Sequence, residues 1–147
     1  MPDTVDRELT FAQAIREALA EEMRRDATVC IMGEDVAEAG TPFKVLSGLV
    51  EEFGKDRVLD TPISEAGFTG LAVGAAMTGL RPVVDIMFGD FITLTMDQMA
   101  NQAAKVHYMS AENGKCRWSC ARLWALRAVP PRNTRNRCTH GSAMFPD

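Results

Sequence analysis

The chain has 147 residues, 46% of them hydrophobic and 24% charged, with a formal net charge of −4. That length holds one domain with a sizeable core rather than two, and the composition is that of a globular protein, not a fibrous or disordered one. The acidic, polar start "MPDTVDREL" and the lack of any apolar run near the ~18 residues of a membrane helix lead us to expect no signal peptide and no membrane span; four cysteines in that setting point to free thiols and a cytoplasmic location.

Thr10 followed by Gln13 has the form of a capping box, and Phe11, Ile15, Ala18, Leu19 and Met23 then recur at helical spacing, which predicts a helix over Phe11 to Arg25. "TVCIM", Thr28 to Met32, is a short apolar run bounded by Gly33 and reads as a buried strand. Phe43 to Phe53 is helical in period, with Gly54 placed to cap its end. "DRVLD", Asp56 to Asp60, reads as a second strand. From Ser64 to Leu80 the chain is small and apolar, with Gly67, Gly70 and Gly74; a helix that accepts this cost in stability trades it for close backbone approach to a neighbour. Gly79 to Pro82 reads as its stop, "VVDIM" (Val83 to Met87) as a third strand, and Ile92 to Met109 as a fourth helix with Met96, Met99, Ala103, Val106 and Tyr108 on its apolar side.

Helices alternating with short strands predict an α/β fold: a parallel sheet covered by helices on both faces. In such sheets ligands sit beyond the carboxyl ends of the strands, which singles out the loops Gly33 to Gly40, Thr61 to Glu65 and Phe88 to Phe91. Glu65 stands alone among small and apolar neighbours where a buried helix begins. A helix N-terminus favours the ionised acid and burial favours the neutral one. On position alone, an ordinary first-turn acid satisfying the helix dipole is the commoner case. Glu34 and Asp35 follow the first strand, where a ligand contact or a merely solvated loop is equally open. Asp85, inside the third strand, reads as an edge or interface residue. Phe91 could stack on a flat ligand, although core packing is the commoner use of a single phenylalanine. No phosphate-cradling loop is present, neither GxGxxG nor a P-loop, and no Gly-Asp-Gly followed by an asparagine for magnesium. With only His107 and His140, a catalytic triad is not expected.

"DTPISEAGFTGLAVGAAMTGLRPVVDIMFGDF", together with "MGEDV", "DQMANQAAK" and "YMS" in the same order, closely resembles the β subunit of the thiamine-diphosphate-dependent first enzyme of 2-oxo acid dehydrogenase complexes. The resemblance runs from about Leu9 to Lys115 and favours the pyruvate dehydrogenase type, with branched-chain 2-oxo acid and acetoin-type relatives as the alternatives. It implies a transketolase-like pyrimidine-binding domain. It also implies that Glu65 shares a proton with a ring nitrogen of the aminopyrimidine, so that the cofactor can lose its thiazolium proton and attack a 2-oxo acid. Phe91 matches the aromatic that packs on the pyrimidine, and Glu34 lies in the matching first loop as a further cofactor-binding residue. The missing diphosphate motif belongs, in this family, to an α subunit that also holds the magnesium. The implied partners are that α subunit, a second β chain and the lipoyl-bearing acyltransferase core, with no nucleic acid and no membrane. The family forms α2β2 heterotetramers.

The resemblance ends at Lys115. Up to that point nineteen acids face ten basic residues; from Cys116 to Asp147 there are six arginines, one acid, both tryptophans and three of the four cysteines. Such a break marks a separate segment. Cys116, Cys120, Cys138 and His140 fit no common structural zinc spacing. "RNTRNRCTH", Arg132 to His140, can be encoded so that the next frame reads Gln-His-Ser-Gln-Ser-Leu-His-Ala, the family's own motif, and "KCRWSCARLW" can likewise yield Val-Pro-Val-Val-Leu-Arg-Thr-Thr-Leu. Residues 1–115 are therefore expected to be the N-terminal part of a truncated pyrimidine-binding domain, and residues 116–147 an out-of-frame tail. The chain as written is then an inactive fragment. A competing reading is a non-catalytic α/β module that binds a partner or nucleic acid through the basic tail, and a third is another thiamine-dependent relative of transketolase.

Overall fold

In the computed structural model, residues 8–109 and the backbone of 124–125 are described. The expected tail, 116–147, otherwise lies outside the described residues. Helix α1 spans Phe11–Arg25, as the periodicity predicts. Its capping box is formed: the Thr10 amide donates to Gln13 Oε1 (2.9 Å) and the Gln13 amide to Thr10 Oγ1 (3.3 Å), which satisfies two of the donors a helix start leaves open. The buried stripe is Ile15, Ala20 and Met23, with Ala12 and Leu19 beside it; Phe11 is 70% exposed and lies off the stripe.

Strand β1 (Val29–Gly33) is buried along its whole length. It pairs in parallel with β2 (Val58–Asp60) on one side and β3 (Arg81–Ile86) on the other. A two-residue β4 (Trp124–Ala125) continues the sheet beyond β3, so that the order is β2-β1-β3-β4. Side-chain alternation along β1 divides the core in two. Val29 and Ile31 join Val58 and Val83 under α1 and α2 (Leu49–Phe53), while Cys30 and Met32 join Val84 and Ile86 under α3 (Glu65–Met77). Helices therefore cover both faces, as expected. Pro82 is tolerated inside β3 because, among the described residues, the β3–β4 pairing begins only at Asp85, and no ladder bond on that side needs its missing N–H.

The expected helix from Phe43 to Phe53 is only partly present. α2 begins at Leu49, because Lys44 (φ 57°) and Gly48 (φ 87°) adopt left-handed backbone that no α-helix accommodates. Val45 and Leu46 are buried all the same, by a turn in which the Leu46 amide donates to the Gly40 carbonyl (3.2 Å). The expected capping role of Gly54 holds, at φ 82°.

The region expected to be one helix, Ile92 to Met109, is segmented. A 3-10 turn (Gly89–Phe91) leads into α4 (Ile92–Met96), a π-helical stretch (Asp97–Ala103) and α5 (Val106–Met109). Two features account for this. The Thr95 hydroxyl is fully buried and donates to the Ile92 carbonyl, and the Ala104 amide reaches back five residues to Met99. Thr95 is fully buried here, whereas Met96 and Tyr108, expected on the apolar side, are exposed, Tyr108 by 88%.

Arg57 ties the lower end of the sheet together. Its guanidinium donates to the carbonyls of Met23, Asp26 and Val29 and lies over the Phe53 ring, 5.2 Å from the centroid.

Candidate functional site

The chain runs from β1 to β2 on one side of the sheet and then returns to β3 on the other. The crevice between the carboxyl ends of β1 and β3 is thus a topological switch point, where ligands bind in open α/β sheets. Glu34 leaves the end of β1, Asp85 and Met87 the end of β3, and Thr41, Pro42 and Phe43 complete one small recess there.

Glu34 is 8% exposed, and its Oε1 has no hydrogen-bond partner. Burial raises its carboxyl above the usual range, and the neighbouring Glu65 and Asp35 charges raise it further; the backbone amide of Ser64 offsets part of this. Glu65 is the first residue of α3 and 7% exposed, so it too is a buried acid, held where the helix dipole favours its charge. The fold brings Glu34, from the loop after β1, close to Glu65 at the start of α3, with Ser64 next to both. The Ala37 amide donates to Asp60 Oδ1 (2.7 Å) and the Thr61 amide to the Gly33 carbonyl (2.9 Å), which fixes the two loops to one another.

Asp85 is no edge residue. It pairs with Gly33 on one side and Trp124 on the other, is 9% exposed, and is pushed up to about 6 by burial and by Glu34. Gly33 is required at this point, since a Cβ there would lie 2.7 Å from the Asp85 carbonyl oxygen and 3.2 Å from its Cβ.

Phe91 does not enter the core. It is 40% exposed and belongs to an aromatic chain: Phe88 meets it edge-on at 5.7 Å and meets Phe43 edge-on at 6.5 Å. Phe43, a lining residue of the recess, joins this aromatic row to the carboxylates. The loop that carries it is strained. Asp35, Thr41 and Lys44 all have positive φ, and Thr41 (68°) is β-branched, a conformation that persists only where surrounding contacts over-determine it.

Sequence reasoning singled out Glu65, Glu34 and Phe91 but missed Phe43, Phe88 and the burial of Asp85. For Asp85 a signal was present: a lone acid within "VVDIM" has no amphipathic face to occupy. Chemically, buried carboxylates beside exposed aromatics suit a flat heterocycle that bears N–H donors, and the partnerless Glu34 Oε1 is an acceptor such a group could satisfy.

The model of the transketolase pyrimidine-binding domain matches residues 7–123 of this chain. The chain is similar to the pyruvate dehydrogenase E1 component subunit beta of Rickettsia felis, 52% identical over 109 residues, which cover 74% of this chain and 33% of that protein. It is 54% identical to the corresponding subunit of Rhizobium meliloti over 102 residues, 69% of this chain and 22% of that one. The mitochondrial subunit of Saccharomyces cerevisiae is 49% identical over 108 residues, 74% of this chain and 30% of its own length. The chain thus spans a third or less of each of these relatives.

Proposed function

The chain belongs to the transketolase pyrimidine-binding family, and from that premise we propose that it is the N-terminal part of a β subunit of the pyruvate dehydrogenase type, supplying half of a thiamine diphosphate site. The observation that carries this reading is the pair of buried acids, Glu34 and Glu65, held together at strand ends with one oxygen left partnerless. The residues fit the group. Glu65 would accept and return a proton at a ring nitrogen of the aminopyrimidine, Glu34 would receive a further N–H, and Phe91, steadied by Phe88, would pack on the ring face. When bound, thiamine diphosphate supplies the carbon nucleophile for decarboxylation of a 2-oxo acid, whose acyl group passes to a lipoyl carrier. This chain's own contribution is position, exclusion of water and the proton held at Glu65.

The diphosphate and its magnesium would be held by an α subunit. Exposed apolar side chains support such a partner: Leu71 and Met77 on α3, Leu94 and Met96 on α4, and Ile63 before α3. A second β chain and the lipoyl-bearing acyltransferase core complete the proposed assembly. The cytoplasmic setting is part of the same proposal; no helix among the described residues is long and apolar enough to cross a membrane. We further propose that the chain is out of frame from about Cys116, on the strength of the alternative codon reading, and that as written it is inactive; independent resequencing of the locus tests this. The test of the site is co-expression with an α subunit. Thiamine diphosphate is expected to raise the melting temperature of the mixture with the native chain and not with Glu65→Ala; equal shifts for both would overturn the assignment.

A further inference from the structure

We propose that Phe43 is a positioning residue of the site: by bracing Phe88, which in turn meets Phe91 edge-on, it fixes the ring face that Phe91 presents to the cofactor. Its consequence for the cofactor rests on the reading of Phe91 given above; the coupling of the three rings does not.

Phe91 ends the 3-10 turn that follows β3, and its amide donates to the Phe88 carbonyl (3.0 Å). That bond fixes the backbone and leaves the ring free to turn. The ring is exposed, so the core does not choose its rotamer. A side chain that must adopt one orientation on binding costs affinity unless it is held there beforehand. The edge-on contact with Phe88, at 5.7 Å and 82°, restricts it. Phe88 is exposed in its turn, and its own brace comes from the loop after β1: the Phe43 ring, edge-on at 6.5 Å and 86°.

The segment that carries Phe43 is fixed by the core. Thr41 (φ 68°) and Lys44 (φ 57°) bracket it with left-handed backbone, which non-glycine residues keep only where surrounding contacts enforce it. Those contacts are present. The Thr41 amide donates to the Asp35 carbonyl (2.7 Å), the Lys44 amide to the Thr41 carbonyl (3.1 Å) and the Val45 amide to Thr41 Oγ1 (3.3 Å). Burial of Thr41, Val45 and Leu46 accounts for the anchorage of the turn. It does not account for Phe43, which the same turn leaves exposed and sets against Phe88. For the isolated fold such a ring is bare apolar surface; for Phe91 it is the fixed end of the row. The same ring lines the recess with Glu34, so one turn sets both the acceptor's surroundings and the stacking face.

The experiment places 4-fluorophenylalanine at position 91 of the full 147-residue chain without cofactor and reads its fluorine resonance, in the native background and with Phe43→Leu, Phe43→Met, Phe43→Tyr and Phe53→Leu. Phe43→Leu and Phe43→Met are expected to move the resonance toward its position in the urea-denatured chain, and Phe43→Tyr, which keeps the ring edge, to leave it in place. Phe53→Leu, which loses the ring under Arg57, is expected to lower the melting temperature without moving the resonance. A merely structural Phe43 would behave as Phe53 does. A resonance unmoved by Phe43→Leu, or moved as far by Phe53→Leu, overturns the proposal. If Phe43→Leu does not fold, Phe43→Met, long and apolar but without a ring, decides it. With an α subunit present, thiamine diphosphate is expected to bind Phe43→Leu roughly two- to tenfold more weakly than the native chain, the worth of one aromatic pair, and Phe43→Tyr as the native chain. Equal affinity of Phe43→Leu and the native chain overturns the positioning role. A moved resonance with no binding by the native assembly overturns the cofactor assignment alone; native binding with a resonance indifferent to position 43 overturns this proposal alone.

Discussion

Gly33 and Asp85 face each other across β1 and β3 so closely that a Cβ on the glycine would stand 2.7 Å from the Asp85 carbonyl oxygen. The obstacle is backbone, which cannot swing aside as a flexible side chain would. Gly33→Ala is therefore expected to destabilise the fold by about 1–3 kcal/mol, the usual cost of overpacking a close-packed interior. Urea unfolding followed by far-ultraviolet circular dichroism measures it; an unchanged midpoint would mean that the strands are not this close.

Asp85 also gives the fold a pH dependence whose sign is fixed. Its folded-state value, about 6, lies above the unfolded 3.8, so the native state holds the proton more tightly. Its stabilising effect is complete below about pH 4 and is lost as pH rises to about 6; removing that loss is worth on the order of 2–3 kcal/mol at pH 7. Asp85→Asn should flatten this fall between pH 4 and 6 and be the more stable protein at pH 7. Denaturant midpoints across that range check it, and parallel curves for native and variant chains would refute it.

Arg57 is the counterpart at the opposite end of the sheet. It serves three backbone carbonyls from α1, its cap and β1, at 2.7–2.9 Å. Arg57→Ala removes these donors, leaving the Asp26 carbonyl only its bond from the Val29 amide, and removes the contact with Phe53, at a cost of about 2–4 kcal/mol. Arg57→Lys, with one compact ammonium in place of a planar fork, should recover only part of this. Calorimetric melting of the three proteins is the measurement.

The glycines of α3 separate packing from partnership. Gly70 meets Gln98 of the π-helical stretch, 3.1 Å from where a Cβ would sit, whereas nothing lies within 4 Å of Gly74. In the chain alone, Gly74→Ala should stabilise the helix by about 0.5–1 kcal/mol. Gly74→Phe should fold as well but fail to co-purify with an α subunit, if this face is the seam. Retention of Gly74→Phe in the complex would place the seam elsewhere.

Much of this architecture was legible beforehand. The 3.6-residue recurrence and the Thr10–Gln13 pair located α1, because its start is set by a local cap and its stripe by a regular period. The alternation of Val29 and Ile31 with Cys30 and Met32 implied a strand covered on both sides. Legibility failed where tertiary demands overrode a local pattern. Phe43 to Gly48 has helical spacing, yet positive φ at Lys44 and Gly48 turns the chain so that Val45 and Leu46 reach the core and Phe43 reaches the recess. The Ile92 to Met109 run broke for a similar reason, since neither the buried hydroxyl of Thr95 nor the fit of Gln98 against Gly70 can be read from periodicity. Glu65 was visible as an oddity of sequence; its closeness to Glu34 was not, because thirty residues separate them and only strand register brings them together. Of the two readings of Asp85, edge or interface, the edge fails because pairing on its second side comes from a strand far along the chain.

The central claim is that Glu65, buried at the start of α3 beside Glu34, receives the aminopyrimidine of thiamine diphosphate. Isothermal titration of the cofactor into the chain assembled with an α subunit tests it most directly, for the native sequence and for Glu65→Gln, which keeps shape and removes charge. The account predicts saturable binding by the native assembly and at least a tenfold weaker affinity for the variant, about 1.4 kcal/mol or more. Equal affinity for the two proteins would contradict it.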